Sequence, residues 1–262
     1  VLPWFGQQIV LDKFVVTEMQ LVRQNRTILD RVIASEVEHL QAIATDWGQW
    51  DDLYDFIQGR NPGFRSSELG NVVLDRLELD AILLIGPSGR LYYGELRPPG
   101  TGGTDQAGAD AVAGLATLLT GTSLGGEVTH PARASRLPPA GSRETRGGLM
   151  DTPRGPLVLS MRAVSRTDGS GGAAGTLVMG RYLHVEKLFT ELSVLPSHVI
   201  PHGSGRDPMS DEMHALARQL VQTDSGSRLV TRQDDMSDFK IFADLAGKPA
   251  FMLETRMPRT IV

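Results

Sequence analysis

Asp46-Trp47-Gly48-Gln49-Trp50-Asp51-Asp52-Leu53-Tyr54-Asp55-Phe56 is the stretch on which the fold turns. It holds two of the three tryptophans and one of the four tyrosines, interleaved with four aspartates. It lies where a long amphipathic pattern stops and a mixed α/β pattern begins. Spacings of three and four would place Trp47, Trp50 and Tyr54 on one helical face. Such a face is either a core plug that locks a helix end onto a sheet or the aromatic wall of a pocket. Tryptophan and tyrosine suit both, because each joins a large apolar body to a hydrogen-bonding tip. Asp46 and Asp51 flank the rings and are candidates to pair with Arg60, Arg162 or Arg181.

Upstream, Val10 to Trp47 reads as one helix. Leu11, Phe14, Val15, Met19, Val22, Leu29, Val32, Ile33, Leu40, Ile43 and Trp47 form a single stripe on a 3.6-residue period. At 1.5 Å per residue that helix would run roughly 55 Å, too long to pack wholly against one small domain. It therefore belongs to a bundle or coiled coil, or to a dimer stalk; either needs a partner for the stripe.

Downstream, Asn61-Pro62-Gly63 breaks the chain, and Ser67 is a candidate cap for a short helix to about Arg76. The apolar run Leu79 to Ile85, the turn Pro87-Ser88-Gly89 and Leu91-Tyr92-Tyr93 predict a type I hairpin with a bulge. From Arg97 to Gly148 the composition shifts to Gly, Pro, Thr and Ser, which reads as a surface loop with a short helix near Ala109 to Leu119. Leu157 to Arg166 and Gly175 to Leu183 read as strands joined through Asp168-Gly169-Ser170-Gly171-Gly172, with a helix from His184 to about Leu192 after them. The last third predicts a strand near Val194 to Ile200 and a helix from Ser210 to Val221. Strands near Arg228 to Gln233, Phe239 to Leu245 and Pro249 to Met257 follow. Hairpins dominate and no βαβ rhythm appears, so the sheets are expected to be antiparallel.

Composition narrows the chemistry. The chain has 262 residues, 40% hydrophobic and 22% charged, and a net charge of -5 without a basic run, so no nucleic-acid partner is expected. It has no cysteine, which excludes thiol nucleophiles and cysteine metal sites. No apolar run is long enough to cross a bilayer, and the chain opens at Val1, as an excised piece of a longer protein would. Gly169 to Gly175 is glycine-rich like a phosphate loop. A strand, Thr176-Leu177-Val178-Met179, follows it where a helix would be required. His198 and His202 are four apart, but Pro196, Pro201 and Gly203 argue against a helix and hence against a metal site. No GxSxG elbow or supported carboxylate pair occurs. No catalytic residue, metal or cofactor is expected.

The aromatic stretch, with what surrounds it, resembles the fourth class of CHASE sensor domains. The resemblance rests on Asp46 to Phe56, Asn61, the Leu79 to Arg90 hairpin and Gly175-Thr176-Leu177-Val178-Met179-Gly180-Arg181. Arg162 with the Asp168-Gly169-Ser170-Gly171 turn belongs to it as well. It spans roughly residues 15 to 190 and departs in the segment from Arg97 to Gly148. It implies a periplasmic or extracellular input domain between two membrane helices of a bacterial or archaeal receptor. The outputs of such receptors are histidine kinases, diguanylate cyclases, phosphodiesterases or chemotaxis transducers.

The expected fold is α/β (α+β): a long N-terminal helix followed by a PAS-like or Cache-like antiparallel sheet, with a smaller C-terminal α/β lobe. The expected division is a stalk over 1–47, a membrane-distal sensor over 48–192 and a membrane-proximal lobe over 193–262. The expected function is non-catalytic sensing of a small molecule or periplasmic partner by a homodimer joined through the N-terminal helix. Trp47, Trp50, Tyr54, Tyr93, Arg162 and Arg181 are the candidate ligand residues. The arginines would suit a carboxylate or phosphate, or else internal ion pairs with Asp46, Asp51 or Asp55. A secreted hydrolase and a purely structural dimerisation module are the rivals.

Overall fold

A computed structural model describes residues 4–97, 106–120, 137–138, 144–184, 198–202, 209–223, 225–232, 234–245 and 247–258. The chain divides into two compact units, one of residues 36–183 and 244–246, the other of residues 1–35, 184–243 and 247–262. Helix α1 (Trp4–Gly48) contributes to both, so the division falls within the helix.

In the first unit α1 ends at Gly48, and Trp50 takes an extended conformation (φ -92°, ψ 119°). Helix α2 (Asp51–Ile57) then starts afresh with Asp51 and Asp52 in its first turn, where carboxylates favour the helix dipole. The single helical face expected for Trp47, Trp50 and Tyr54 is thus broken: the three sit on the end of α1, the junction and α2. Two short helices follow, α3 (Phe64–Glu68) and α4 (Asn71–Arg76), separated at Gly70, whose φ of 105° suits glycine. Ser67 therefore lies inside α3 and caps nothing.

Strands β1 (Ala81–Ile85) and β2 (Leu91–Leu96) form the expected hairpin, with a register shift at Leu84/Ile85 and Gly89 at φ 80°. Helix α5 (Gln106–Thr120) comes next, then β3 (Arg146–Thr152), β4 (Gly155–Val164) and β5 (Gly175–Tyr182). All neighbours are antiparallel, in the order β2-β1-β5-β4-β3. Directly opposed residues share a face. Ala81, Leu83, Leu96, Leu157, Leu159, Met161, Val178 and Tyr182 pack with Val112, Leu115, Ala116 and Leu119 of α5. The end of α1 approaches the other face: Gly147 admits Val37 and Gln41, and Gly48 lies against Arg162.

In the second unit β6 (His198–His202), α6 (Asp211–Val221), β7 (Ser227–Thr231), β8 (Asp235–Ala243) and β9 (Pro249–Pro258) form an antiparallel sheet in the order β6-β9-β8-β7. Ser210 caps α6 by accepting from the Met213 amide. Ala217 and Leu220 of α6 pack on Phe239, Ile241 and Met252. Arg26 and Asp30 of α1 reach the alternate side chains of β8, Asp238 and Lys240. The helix expected over His184 to Leu192 and the start of the Val194 strand lie outside the described residues, apart from His184 itself, which is not helical.

Candidate functional site

The residues singled out by sequence converge on one face of the first sheet. Arg162 and Arg181 alternate along β4 and β5 in register with Leu177 and Val158. Tyr93 lies opposite Leu84, which pairs with Leu177 in turn, so all these side chains project on the α1 side. They fall into separate contacts.

The aromatic group is a joint. The rings of Trp47 and Trp50 meet edge to face at 5.3 Å, Trp50 meets Phe64 at 5.1 Å, and Phe56 meets Phe64 at 5.6 Å. Trp47, Tyr54 and Phe64 are buried. The Tyr54 hydroxyl donates to the Gly171 carbonyl at 2.9 Å, crossing to the β4–β5 hairpin. Around it, the Ser165 amide donates to the Gly48 carbonyl, the Thr167 amide to Asp51 and the Thr167 hydroxyl to the Gln49 carbonyl. The end of α1 and the start of α2 are therefore bonded to one hairpin by backbone and side chain together. The hairpin loop holds its own shape through Asp168, whose carboxyl accepts from the Ser170 amide and is held below the usual carboxylate range by it.

The charges near the joint pair internally. Asp55 accepts from Arg60 and Arg166 at 2.7 Å each, and their guanidinium groups lie 5.7 and 4.7 Å from the Tyr54 ring centre. The hydrogen bonds from Arg60, with Arg166 beside it, hold the Asp55 carboxyl below its ordinary range. Arg181 binds Glu36 at 2.9 Å and the backbone carbonyls of Glu78 and Leu77, with the Glu78 carboxylate at 3.9 Å, so its ion partners are glutamates and not the aspartates of the opening stretch. Arg162, also buried, donates to the Thr145 hydroxyl at 3.0 Å, and Thr145 bonds Thr45 of α1 at 2.8 Å. Tyr93 stands apart under Arg65 and bonds Glu95; burial, then Glu95, pushes its phenol up. Phe64, Arg166 and Gly171 were not among the expected residues. Only Gly171, in a glycine-rich turn, carried a local signal. Among the described residues no group of three or more His, Asp or Glu could hold a metal, and no helix is long and apolar enough to cross a membrane.

A family model described as the CHASE4 domain matches residues 32–197. The chain belongs to this family. The match begins within α1 and takes in the whole first sheet, so the aromatic joint lies inside it. The methanogenesis regulatory histidine kinase FilI of Methanothrix harundinacea (strain 6Ac) is 24% identical over 234 residues. That alignment covers 87% of this chain and 23% of the kinase, so the chain spans about a quarter of that relative.

Solved structures share the fold. The extracellular domain assigned to the histidine kinase vpHK1S-Z8 aligns with a TM-score of 0.57 at 11% identity, over 95% of this chain and 93% of that one. The Vibrio cholerae LuxQ periplasmic domain aligns with a TM-score of 0.51 at 11% identity, over 91% and 99%. A domain of a sensory box/GGDEF family protein from Vibrio parahaemolyticus aligns with a TM-score of 0.54 at 11% identity, over 95% and 97%. The CHASE4 domain thus has the PAS-like and Cache-like architecture of extracellular sensor domains, with its long helix and antiparallel sheets.

Proposed function

We propose that this CHASE4 domain is the extracytoplasmic, non-catalytic ligand-sensing part of a membrane receptor. Its output would be a histidine kinase, a cyclic-di-GMP enzyme or a chemotaxis transducer. The observation that carries this reading is the bonding of the α1 end to the β4–β5 hairpin through Tyr54, Ser165 and Thr167. A helix fastened to a sheet at one end and continuous for 45 residues can convey a change in that sheet along its length. A ligand acts by binding two arrangements of the receptor unequally, which shifts their populations. In this reading α1 pairs with its counterpart in a homodimer. Trp47, Trp50 and Tyr54 transmit the change, and Arg162 and Arg181 set the helix against the sheet while Tyr93 marks the far strand.

The test is a thermal-shift screen of the purified chain against small metabolites, repeated with Arg162→Ala. The expected result is a saturable shift with one ligand class and an altered response in the variant. No shift with any metabolite, together with a stable dimer, would favour a structural dimerisation module. Turnover of generic ester or glycoside substrates would favour a hydrolase. A gene with no membrane helix flanking residues 1 and 262 would remove the receptor reading.

A further inference from the structure

Tyr93, Glu95 and Arg97 are alternate residues along β2 and just past its end, so they share one face. On that face Tyr93 and Arg97 meet the segment of α3 and α4. The Arg65 guanidinium of α3 lies 5.7 Å from the Tyr93 ring centre. The Tyr93 hydroxyl donates to Glu95 at 2.5 Å, and the Gly70 backbone faces it. Arg97 donates to the Asn71 carbonyl at 2.7 Å, to the Asn71 side chain at 3.1 Å and to Asp75 at 2.5 Å. Its own amide donates to the Asp80 carbonyl at 2.7 Å. The backbone of Arg97 therefore continues the β1–β2 ladder while its side chain holds α4. Arg97 is 6% exposed, whereas the Asp75 side chain is 71% exposed. Pairing with so solvated a carboxylate does not offset the burial of a guanidinium. What these bonds fix is the position of α4 against the end of β2.

The other end of the segment lies in the aromatic joint. Phe64, the first residue of α3, is buried, and its ring meets those of Trp50 and Phe56. Between the two ends Leu69, Val73 and Leu74 are buried, and Gly70 turns the chain at a φ that suits glycine. The segment is thus packed along its length and fastened at both ends, unlike a loop that could absorb a displacement. On the other face of β2, Gly94 stands directly against Val112 of α5. Strand β2 is therefore gripped by α5 on one side and by α3 and α4 on the other.

We propose that α3 and α4 form a strap that passes movement of β2 to the end of α1 through Phe64 and Trp50, a second route into the helix beside the β4–β5 hairpin. This role of the strap rests on the reading of α1 as the carrier of the signal. The test needs no ligand, so its failure removes the strap and leaves the thermal-shift screen to decide the sensing reading. It is hydrogen exchange of the whole chain, read by mass spectrometry, in Arg97→Met, which cuts the strap at the end away from the joint. Amides of residues 50–58 are expected to exchange at least about threefold faster, as linked contacts imply, while those of the β4–β5 turn at 167–174 keep their rates. Acceleration confined to residues 71–97 would overturn the strap. If the whole first unit exchanges faster, Asp75→Ala decides, because it removes the solvent-exposed partner of Arg97 without opening the core. Acceleration at 50–58 in that variant, with rates at 167–174 unchanged, supports the strap, and its absence overturns it.

Discussion

Gly175 has no room for a side chain. A Cβ there would stand 2.6 Å from the Ile85 carbonyl oxygen, on the strand that pairs with β5. Backbone in a ladder yields little, so Gly175→Ala is expected to cost about 1–3 kcal/mol, as overpacking does. Urea denaturation reads this as a lower midpoint at constant slope; an unmoved midpoint contradicts it. Tyr54→Phe keeps the ring and deletes the bond to the Gly171 carbonyl, for an expected loss of about 1 kcal/mol. Glu254 gives a pH signature. Burial pushes its carboxyl up, but the bonds from Arg256, His202 and Ser237 outweigh this and hold the folded group below its ordinary value of 4.5, so the unfolded chain takes up the proton more readily. Its stabilisation is complete above pH 4.5 and is lost as pH falls through the lower folded value. The stability gap between the protein and Glu254→Gln should therefore narrow on acidification from pH 7 to below 4.5; a gap that stays constant is incompatible with this. At this scale the sequence was only partly legible. The density of rings between Asp46 and Phe56 marked Trp47 and Tyr54, but their spacing pointed to one helical face, which the extended Trp50 breaks. Arg181 could not be assigned its partner, because Glu36 lies 145 positions away on α1 and only the packing of that helix against the sheet brings them together.

Elements were legible where periodicity governs them. The α1 stripe is carried by Leu29, Ile33, Leu40 and Trp47, all buried, and the β1–β2 turn by Gly89 with positive φ. Strand β3 was missed because Arg146-Gly147-Gly148 reads as loop. Its glycines instead mark close approach: a Cβ at Gly147 would meet Val37 at 2.7 Å, and one at Gly148 would meet Leu245 at 2.6 Å. The break at Trp50 was missed for a related reason. Gly48 lets α1 come down onto Arg162, where a Cβ would stand 2.4 Å from Cγ, a contact that spacing along the chain does not reveal. Leu40 measures how firmly α1 is packed. It is fully buried, and Leu40→Ala is expected to cost about 2–5 kcal/mol, whereas Ala42→Ser on the exposed face should change stability by less than about 0.5 kcal/mol. Equal effects would mean that α1 is not packed through this face.

For the whole molecule, the division between units inside α1 matters more than either core. Residues to Ser35 belong to one unit and residues from Glu36 to the other, while the helix continues from Trp4 to Gly48. Each unit has its own apolar cluster, with α5 against the first sheet and α6 against the second. The helix is thus the element that the two units share. Ser35→Pro would remove one helical hydrogen bond and set the proline ring against the Arg31 carbonyl, costing about 3 kcal/mol. Ser35 is exposed, so no core contact is lost with it. In a Trp4→Phe background, tryptophan fluorescence reports only the first unit, through Trp47 and Trp50. With the helix intact, the fluorescence and circular dichroism transitions in urea should lie close together. In Ser35→Pro they should separate, and Ser35→Ala should leave them as they were. If the proline variant keeps coincident transitions, the two units are coupled by something other than α1, and the helix is not the carrier of the signal.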